Sequence, residues 1–377
     1  MKRLSASAKS ADQRAFVNDD WRIPVVVLTG FLGAGKTTVL NHLLSHPELS
    51  GTAVLINEFG DVAVDHHLVE HVDETVVVLD SGCICCSIQD DLAKTLKLLF
   101  QRAQRREIGP LARIVIETTG LADPAPVIYT LMRDPFIGAR FRCDGVVTVV
   151  DATHGNAQLD SHGEAVRQVV MADRLLLSKC DLATAETQQL LSGRLARLNP
   201  GAGQLKICPG QVPREALAGC GLYDPAGKSP DVARWLSEAR PAPPSPYAPA
   251  ARTTRVRTRT PSAHDQSIQS HVLVFEQPLD WLGFSDGLGL ILKVYGARTL
   301  RIKGVLNIQG DPSPRIVQCV QHAAYPPSSL SEWPETPPFD DRCSRVVFIV
   351  RDLPAEELVS ILGSLTGQAP RLEGVGD

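Results

Sequence analysis

The sequence predicts an α/β fold in which a mostly parallel sheet is flanked by helices, with a smaller α+β domain following it. Three observations carry that expectation. From residue 23 to about residue 198, short β-branched runs alternate with longer amphipathic segments, as in a parallel sheet covered by helices. A proline tract, Pro241, Pro243, Pro244, Pro246 and Pro249, then breaks the pattern and leads into an arginine-rich stretch ending at Thr260, before which compact structure is not expected to resume. The chain has 377 residues and is 44% hydrophobic, enough for two buried cores when one domain ordinarily takes ~100 to 200 residues.

Taken in order, strands are expected at residues 24–28, 53–56, 75–79, 113–116, 145–150 and 174–178, with helices at 36–45, 90–106 and 185–198. Beyond the proline tract, residues 271–276, 299–309, 315–321 and 346–350 read as strands and 287–298 and 355–363 as helices. The stretch from 324 to 343 is rich in proline and is expected to be irregular. The organisation is therefore a flexible N-terminal tail (1–22), a first domain (23–240), a Pro/Arg-rich linker (241–262) and a C-terminal domain (263–372).

Charge and composition exclude several classes. A formal net charge of -4 and a pI of about 6.2 give no electrostatic reason to expect nucleic acid or an anionic membrane as partner. The arginines from Arg252 to Arg259 read as a solvated linker or an exposed edge rather than as a phosphate patch. The tail lacks the apolar core of a secretory leader, and no segment approaches the ~18 uncharged apolar residues needed to cross a bilayer. Nine cysteines, odd in number and three of them crowded together, fit free thiols in a reducing cytoplasm better than a secreted disulfide framework.

The segment Gly30-Phe31-Leu32-Gly33-Ala34-Gly35-Lys36-Thr37 follows an apolar strand and opens a helix, which is the context G-x-x-x-x-G-K-[ST] needs. It makes the first domain a P-loop NTPase. Backbone N–H groups around Gly30, Gly33, Ala34 and Gly35, with Thr38, would close on phosphates, and Lys36 would reach the β and γ oxygens. Thr37 would hold Mg²⁺. After the run 114–116, Glu117-Thr118-Thr119-Gly120 places a carboxylate at a strand tip, followed by a turn able to sense a γ-phosphate. Asp151, ending the strand at 145–150, is the rival carboxylate; the Thr-Thr-Gly turn favours Glu117.

At another strand end, Ser178-Lys179-Cys180-Asp181 has the [NTS]-K-x-D arrangement. Asp181 would there accept hydrogen bonds from guanine N1–H and the 2-amino group, a donor pair adenine lacks. The alternative is a Lys-x-Asp turn capping the next helix. Lys36, Thr37 and Glu117 are thus the catalytic candidates, with Gly120, Ser178, Lys179 and Asp181 completing the GTP contacts.

Cys83, Cys85 and Cys86 follow a strand and precede a helix, where N–H groups and the helix dipole favour thiolates. Zn²⁺ is the default ion for such ligands, with Co²⁺ or Cu(I) as alternatives. Glu58 is the candidate for a further ligand, with His66, His67 and His71 behind it. A redox pair or small buried hydrophobes are the rival readings of the cysteines.

Gly-Phe-Leu-Gly-Ala-Gly-Lys-Thr-Thr from Gly30, Asn57-Glu58-Phe59-Gly60, Gly82-Cys83-Ile84-Cys85-Cys86, Glu117-Thr118-Thr119-Gly120-Leu121-Ala122-Asp123-Pro124 and Ser178-Lys179-Cys180-Asp181 resemble, in order, the CobW family of metallochaperone GTPases. Arg301-Ile302-Lys303-Gly304 resembles the family's C-terminal domain and extends the likeness to about Leu372. The resemblance implies a cytoplasmic GTPase that uses GTP and Mg²⁺ to control Zn²⁺ or Co²⁺ at Cys83, Cys85 and Cys86. Hydrolysis would release the metal to a client metalloprotein; the C-terminal domain, which carries no chemical motif of its own, is the expected client surface. It further implies that Asn57, Glu58 and Asp61 belong to a mobile segment between nucleotide and metal. The sequence has no long His-rich tract near the linker and lacks the N-terminal client-docking motif of some relatives, so neither metal storage nor a methionine aminopeptidase client follows. Alternatives to the chaperone are a cobalt-insertion factor for cobalamin or a metalloenzyme, and a metal-sensing binding module switched by GTP. Any of them is compatible with a homo-oligomer.

Overall fold

The structure, a computed structural model, describes residues 21–44, 51–57, 76–79, 87–207, 212–213, 216–217, 267–330, 332–334 and 339–373. The chain runs through β1 (Ile23–Gly30), α1 (Lys36–Leu44), β2 (Thr52–Asn57), β3 (Val76–Leu79), α2 (Ser87–Gln104), β4 (Arg113–Thr118), α3 (Ala125–Arg133) and the single turn α4 (Pro135–Gly138). It continues through β5 (Phe141–Asp151), α5 (Gly155–Ser161), α6 (Gly163–Met171), β6 (Arg174–Ser178), α7 (Ala185–Leu198) and β7 (Gly203–Lys206). Among the described residues these seven strands form one sheet in the order β3-β2-β4-β1-β5-β6-β7, with every pairing parallel.

The central strands are apolar without interruption because both faces of the sheet are covered. Val25 and Val27 of β1 pack with Ile114, Ile116, Leu96 and Ile128 on one side; Val26 and Leu28 pack with Val115, Val39 and Leu40 on the other. Register then fixes the functional edge. Leu28 pairs with Glu117, Gly30 with Val149, and Asp151 with Ser178, so the chain segments that leave these strands emerge side by side.

The second unit comprises β8 (Ile268–Phe275), α8 (Trp281–Tyr295), β9 (Thr299–Leu306), β10 (Arg315–Val320), β11 (Ala323–Ala324), β12 (Ser328–Ser329), β13 (Ser344–Arg351), α9 (Ala355–Thr366) and β14 (Arg371–Glu373). Its strands are antiparallel in the order β11-β10-β9-β13-β8-β14, with β12 on β10. One face of this sheet, with Leu273, Ile302, Val346 and Phe348, is covered by Phe284, Leu288 and Ile291 of α8 and Leu358 and Leu362 of α9. The other face, with Val272, Val274, Val347 and Ile349, joins Val166, Val169 and Val170 of α6 and Leu191 and Leu195 of α7 in one core.

Polar groups run through that junction. The Arg301 guanidinium donates to the Asp173 carboxylate and, at 3.2 Å, to the Met171 carbonyl; Lys303 Nζ lies 3.0 Å from Asp173 Oδ1 and donates to Gly201 O at 3.0 Å. All three charged side chains are buried. Burial alone would raise the Asp173 pKa, but Arg301 and Lys303 outweigh it and hold the carboxyl below its ordinary value.

Element boundaries depart from the sequence reading where tertiary contacts decide them. α8 begins at Trp281 rather than near 287: the Asp280 side chain accepts from Gly283 N at 2.7 Å and caps it, while Gly283 and Gly287 lie against Leu365 and Leu362 of α9. α3, α4, α5, α6, β7, β11, β12 and β14 are additional to the expected set. The helices are only four to nine residues long and give periodicity little room to show.

Candidate nucleotide-binding site

The phosphate loop hangs between β1 and α1. Gly30 ends β1 at φ 147°, and a Cβ there would run into the Val149 carbonyl, so no side chain fits. Gly33 and Gly35, at φ 70° and 96°, turn the loop back to the helix start. Lys36 Nζ donates to Gly30 O at 3.0 Å, bridging the loop's two ends, and Ala34 is buried beneath it while Thr38 is exposed.

Residues from two other strand ends close on this loop, and a third strand end braces them. Thr37 Oγ1 donates to Glu117 Oε1 at 3.1 Å, and Thr118 Oγ1 donates to Thr29 Oγ1 at 2.8 Å, which locks β4 to β1 just below the loop. Ser178 Oγ donates to the Ala34 carbonyl at 2.6 Å. Lys179 adopts φ 55°, and its Nζ donates to Gly33 O at 2.7 Å and to Asp151 Oδ2 at 2.8 Å. Asp181 is exposed beyond the turn, in which Leu182 N donates to Lys179 O at 3.1 Å. Gly120 is buried directly against the loop, where an added Cβ would come within 2.7 Å of Leu32 N.

The two carboxylates weighed in the sequence therefore occupy different ends of the edge. Glu117 faces Thr37, and the paired oxygens suit a hard divalent ion such as Mg²⁺. Asp151 instead accepts from Lys179, from the Thr153 N–H at 2.7 Å and from the His154 N–H at 3.2 Å. Burial would raise its pKa, but these donors hold it far below the carboxylate range. Asp151 is thus an anchor for Lys179, a role that sequence reasoning missed. The Asp-x-Thr-His order after a strand is the signal for it, an Asx-type turn. Gln168 of α6, which donates to Gly120 O at 3.1 Å and Ala122 O at 3.0 Å, has no sequence signal.

Cys83, Cys85, Cys86, Glu58, His66, His67 and His71 lie outside the described residues, as do the tail before residue 21 and the stretch 241–262. Among the described residues no group of three or more His, Cys, Asp and Glu is placed to hold a metal ion. Cys143, Cys180, Cys319 and Cys343 are free thiols, and burial pushes Cys143 up to about 11 and Cys319 up to about 12. Among the described residues no helix is long and apolar enough to cross a membrane.

Comparison with known proteins agrees with this arrangement along the chain. The family model described as "CobW/HypB/UreG, nucleotide-binding domain" matches residues 24–206, and that described as "Cobalamin synthesis protein cobW C-terminal domain" matches residues 268–366. The chain is 33% identical over 343 residues to the zinc chaperone YjiA of Escherichia coli, spanning 91% of this chain and 98% of that protein. It is 29% identical over 329 residues to the zinc chaperone CobW of a Sinorhizobium species, spanning 79% and 85%. The crystal structure of the Zn(II)-bound YjiA GTPase from E. coli superposes with a TM-score of 0.63 at 28% identity, covering 91% of this chain and 99% of that one.

Proposed function

Because the chain belongs to the CobW/HypB/UreG family, with the CobW C-terminal domain joined to its nucleotide-binding domain, we propose that it is a GTP-hydrolysing metallochaperone. It binds Zn²⁺, or Co²⁺, through Cys83, Cys85 and Cys86 with Glu58 as a further ligand, and transfers the metal to a client metalloprotein in the cytoplasm. The observation that carries the reading is the web around the phosphate loop, in which Glu117 at the end of β4 and Ser178 and Lys179 at the end of β6 hold it from two sides. Relatives spanning most of the chain are named zinc chaperones.

In this mechanism loop N–H groups and Lys36 bind the β and γ phosphates, while Gly120 borders the γ-phosphate position. Thr37 and Glu117 would hold Mg²⁺, whose contribution when bound is to neutralise charge on the phosphate oxygens. Asp181 reads guanine, and Lys179, braced by Asp151, lies along the loop beneath the nucleotide. Water attack needs positioning more than a strong base, which agrees with the absence of an obvious base from the motifs. Metal transfer follows from linkage: nucleotide drives it to the extent that Zn²⁺ affinity differs between the GTP and GDP states.

The test is Zn²⁺ affinity by competition with a chromogenic chelator, in Mg²⁺ with GDP or a non-hydrolysable GTP analogue. Cys83, Cys85 and Cys86 are each changed to serine in parallel. Nucleotide-dependent affinity that disappears in the serine variants is the expected result. Equal affinity in both states would leave a GTPase whose cysteines serve another purpose.

A further inference from the structure

The helix α6 touches both the phosphate loop and the C-terminal sheet. At its N-terminus the His162 ring packs on Phe31 of the phosphate loop, with ring centroids 4.6 Å apart. In its middle, the Gln168 side-chain amide, 1% exposed, donates to the carbonyls of Gly120 and Ala122, and Arg167 lies 3.6 Å from Asp123 of the same segment. At its C-terminus the Met171 carbonyl and the Asp173 carboxylate receive Arg301, and Asp173 also pairs with Lys303, both cations being on β9 of the C-terminal sheet.

The helix is also tied to its neighbours by buried hydrogen bonds. Thr148 Oγ1 donates to Gln168 O at 2.8 Å, and the Asn199 amide caps the end of α6 through the carbonyls of Val169, Val170 and Ala172 at 2.8–3.0 Å. The Gln168 amide has its orientation dictated by two facing carbonyls. Only its NH₂ can serve them, and its buried Oε1 has no hydrogen-bond partner among the described residues. The side chain is therefore held for its donors, at the cost of an unmatched acceptor.

We propose that Gln168 is a positioning residue for Gly120, and that through it α6 reports the nucleotide state to the C-terminal sheet. Gly120 is wedged against the Leu32 backbone, so a change in what occupies the phosphate loop changes the room left for it. Gly120 then either breaks its bond to Gln168 or carries α6 with it. A shift of α6 moves Met171 and Asp173, and so loads the buried contacts to Arg301 and Lys303. Packed elements respond by switching between discrete arrangements rather than by bending. Reciprocity requires that a partner held by the C-terminal domain change guanine-nucleotide affinity by the same factor. The inference rests on the GTPase reading above, and extends it by assigning a residue and a route.

The test is hydrogen–deuterium exchange on the full chain in Mg²⁺ with GDP or a non-hydrolysable GTP analogue, alongside steady-state GTP hydrolysis. It compares wild type with Gln168→Met, which keeps the side chain's length and removes its donors. In wild type, peptides covering 163–171 and 299–306 should exchange differently in the two states. In Q168M the difference at 299–306 should vanish while that at the phosphate loop persists. In the same variant kcat should fall about tenfold with KM within about twofold, as loss of transition-state positioning predicts. A nucleotide-dependent difference at 299–306 that survives in Q168M would overturn the proposal. So would identical exchange at 163–171 in wild type, a result that needs no variant to fold. A wild-type protein that binds and hydrolyses GTP but shows either result defeats this inference alone. One that binds no guanine nucleotide defeats the proposed function and this inference together.

Discussion

The hydroxyl of Thr37 and the carboxylate of Glu117, eighty residues apart in sequence, meet at 3.1 Å where α1 begins and β4 ends. If these oxygens hold Mg²⁺, Thr37→Ala and Glu117→Gln should each lower GTP turnover by about 10²- to 10³-fold, comparable to removing one preorganised electrostatic contact. Both should also raise the Mg²⁺ concentration needed for half-maximal rate. Phosphate release across a Mg²⁺ titration measures both, and a wild-type rate in Glu117→Gln would remove Glu117 from the site.

Asp181 is expected to read the base. Asp181→Asn should weaken GDP binding by about 10- to 100-fold, the loss of a charge-assisted hydrogen-bond pair. It should also improve binding of xanthosine diphosphate, whose C2 carbonyl needs a donor. Competition between the two nucleotides reads the exchange directly. Unchanged selectivity would remove Asp181 from the base site, since the following helix is capped by Thr184 and not by this turn.

At Gly120 the constraint is steric. A methyl group there would lie 2.6 Å from the Leu32 side chain and 2.7 Å from Leu32 N, so Gly120→Ala must push the turn away from the phosphate loop. Hydrolysis should drop by tenfold or more, since small misplacements at a reacting centre cost about 10²-fold. GDP affinity, which does not depend on the γ-phosphate, should change little. Isothermal titration with GDP separates this outcome from general unfolding.

Asp173 is buried between two cations, and Asp173→Asn leaves Arg301 and Lys303 poorly compensated. Breaking a buried ion pair in this way costs about 3–5 kcal/mol, which urea unfolding at neutral pH should show. The acid limb follows from linkage. The folded carboxyl is depressed below its ordinary 3.8, so its stabilisation is complete above that value and fades as pH falls through the lower folded pKa. Wild type should therefore lose stability below about pH 4 more steeply than Asp173→Asn. Parallel acid limbs in the two proteins would contradict this.

Much of the site was legible because its chemistry is local. Gly30 to Thr37 is a contiguous motif whose strand and helix neighbours can be read from the same stretch, and β1, β4 and β6 announce themselves as unbroken apolar runs. What sequence could not supply was relationship at a distance. Asp151 looked like a metal carboxylate because its partner, Lys179, is 28 residues away and is brought to it by the β5–β6 register. Gln168 resembles any polar residue on a short helix until Gly120 is seen beneath it. Arg301 and Lys303 alternate with apolar neighbours as surface charges on a half-exposed strand would. The Asp173 that makes their burial tolerable lies 128 residues away from Arg301.

The C-terminal sheet has helices on one face and the nucleotide domain on the other. The two units should therefore stay one particle once the chain between them is cut, eluting together until denaturant parts them. Halves expressed from separate genes should find each other and restore what the intact polypeptide does. The covalent connection is then dispensable for cohesion, and a chain trimmed to the nucleotide domain alone would present Asp173 and the flank of α6 to water.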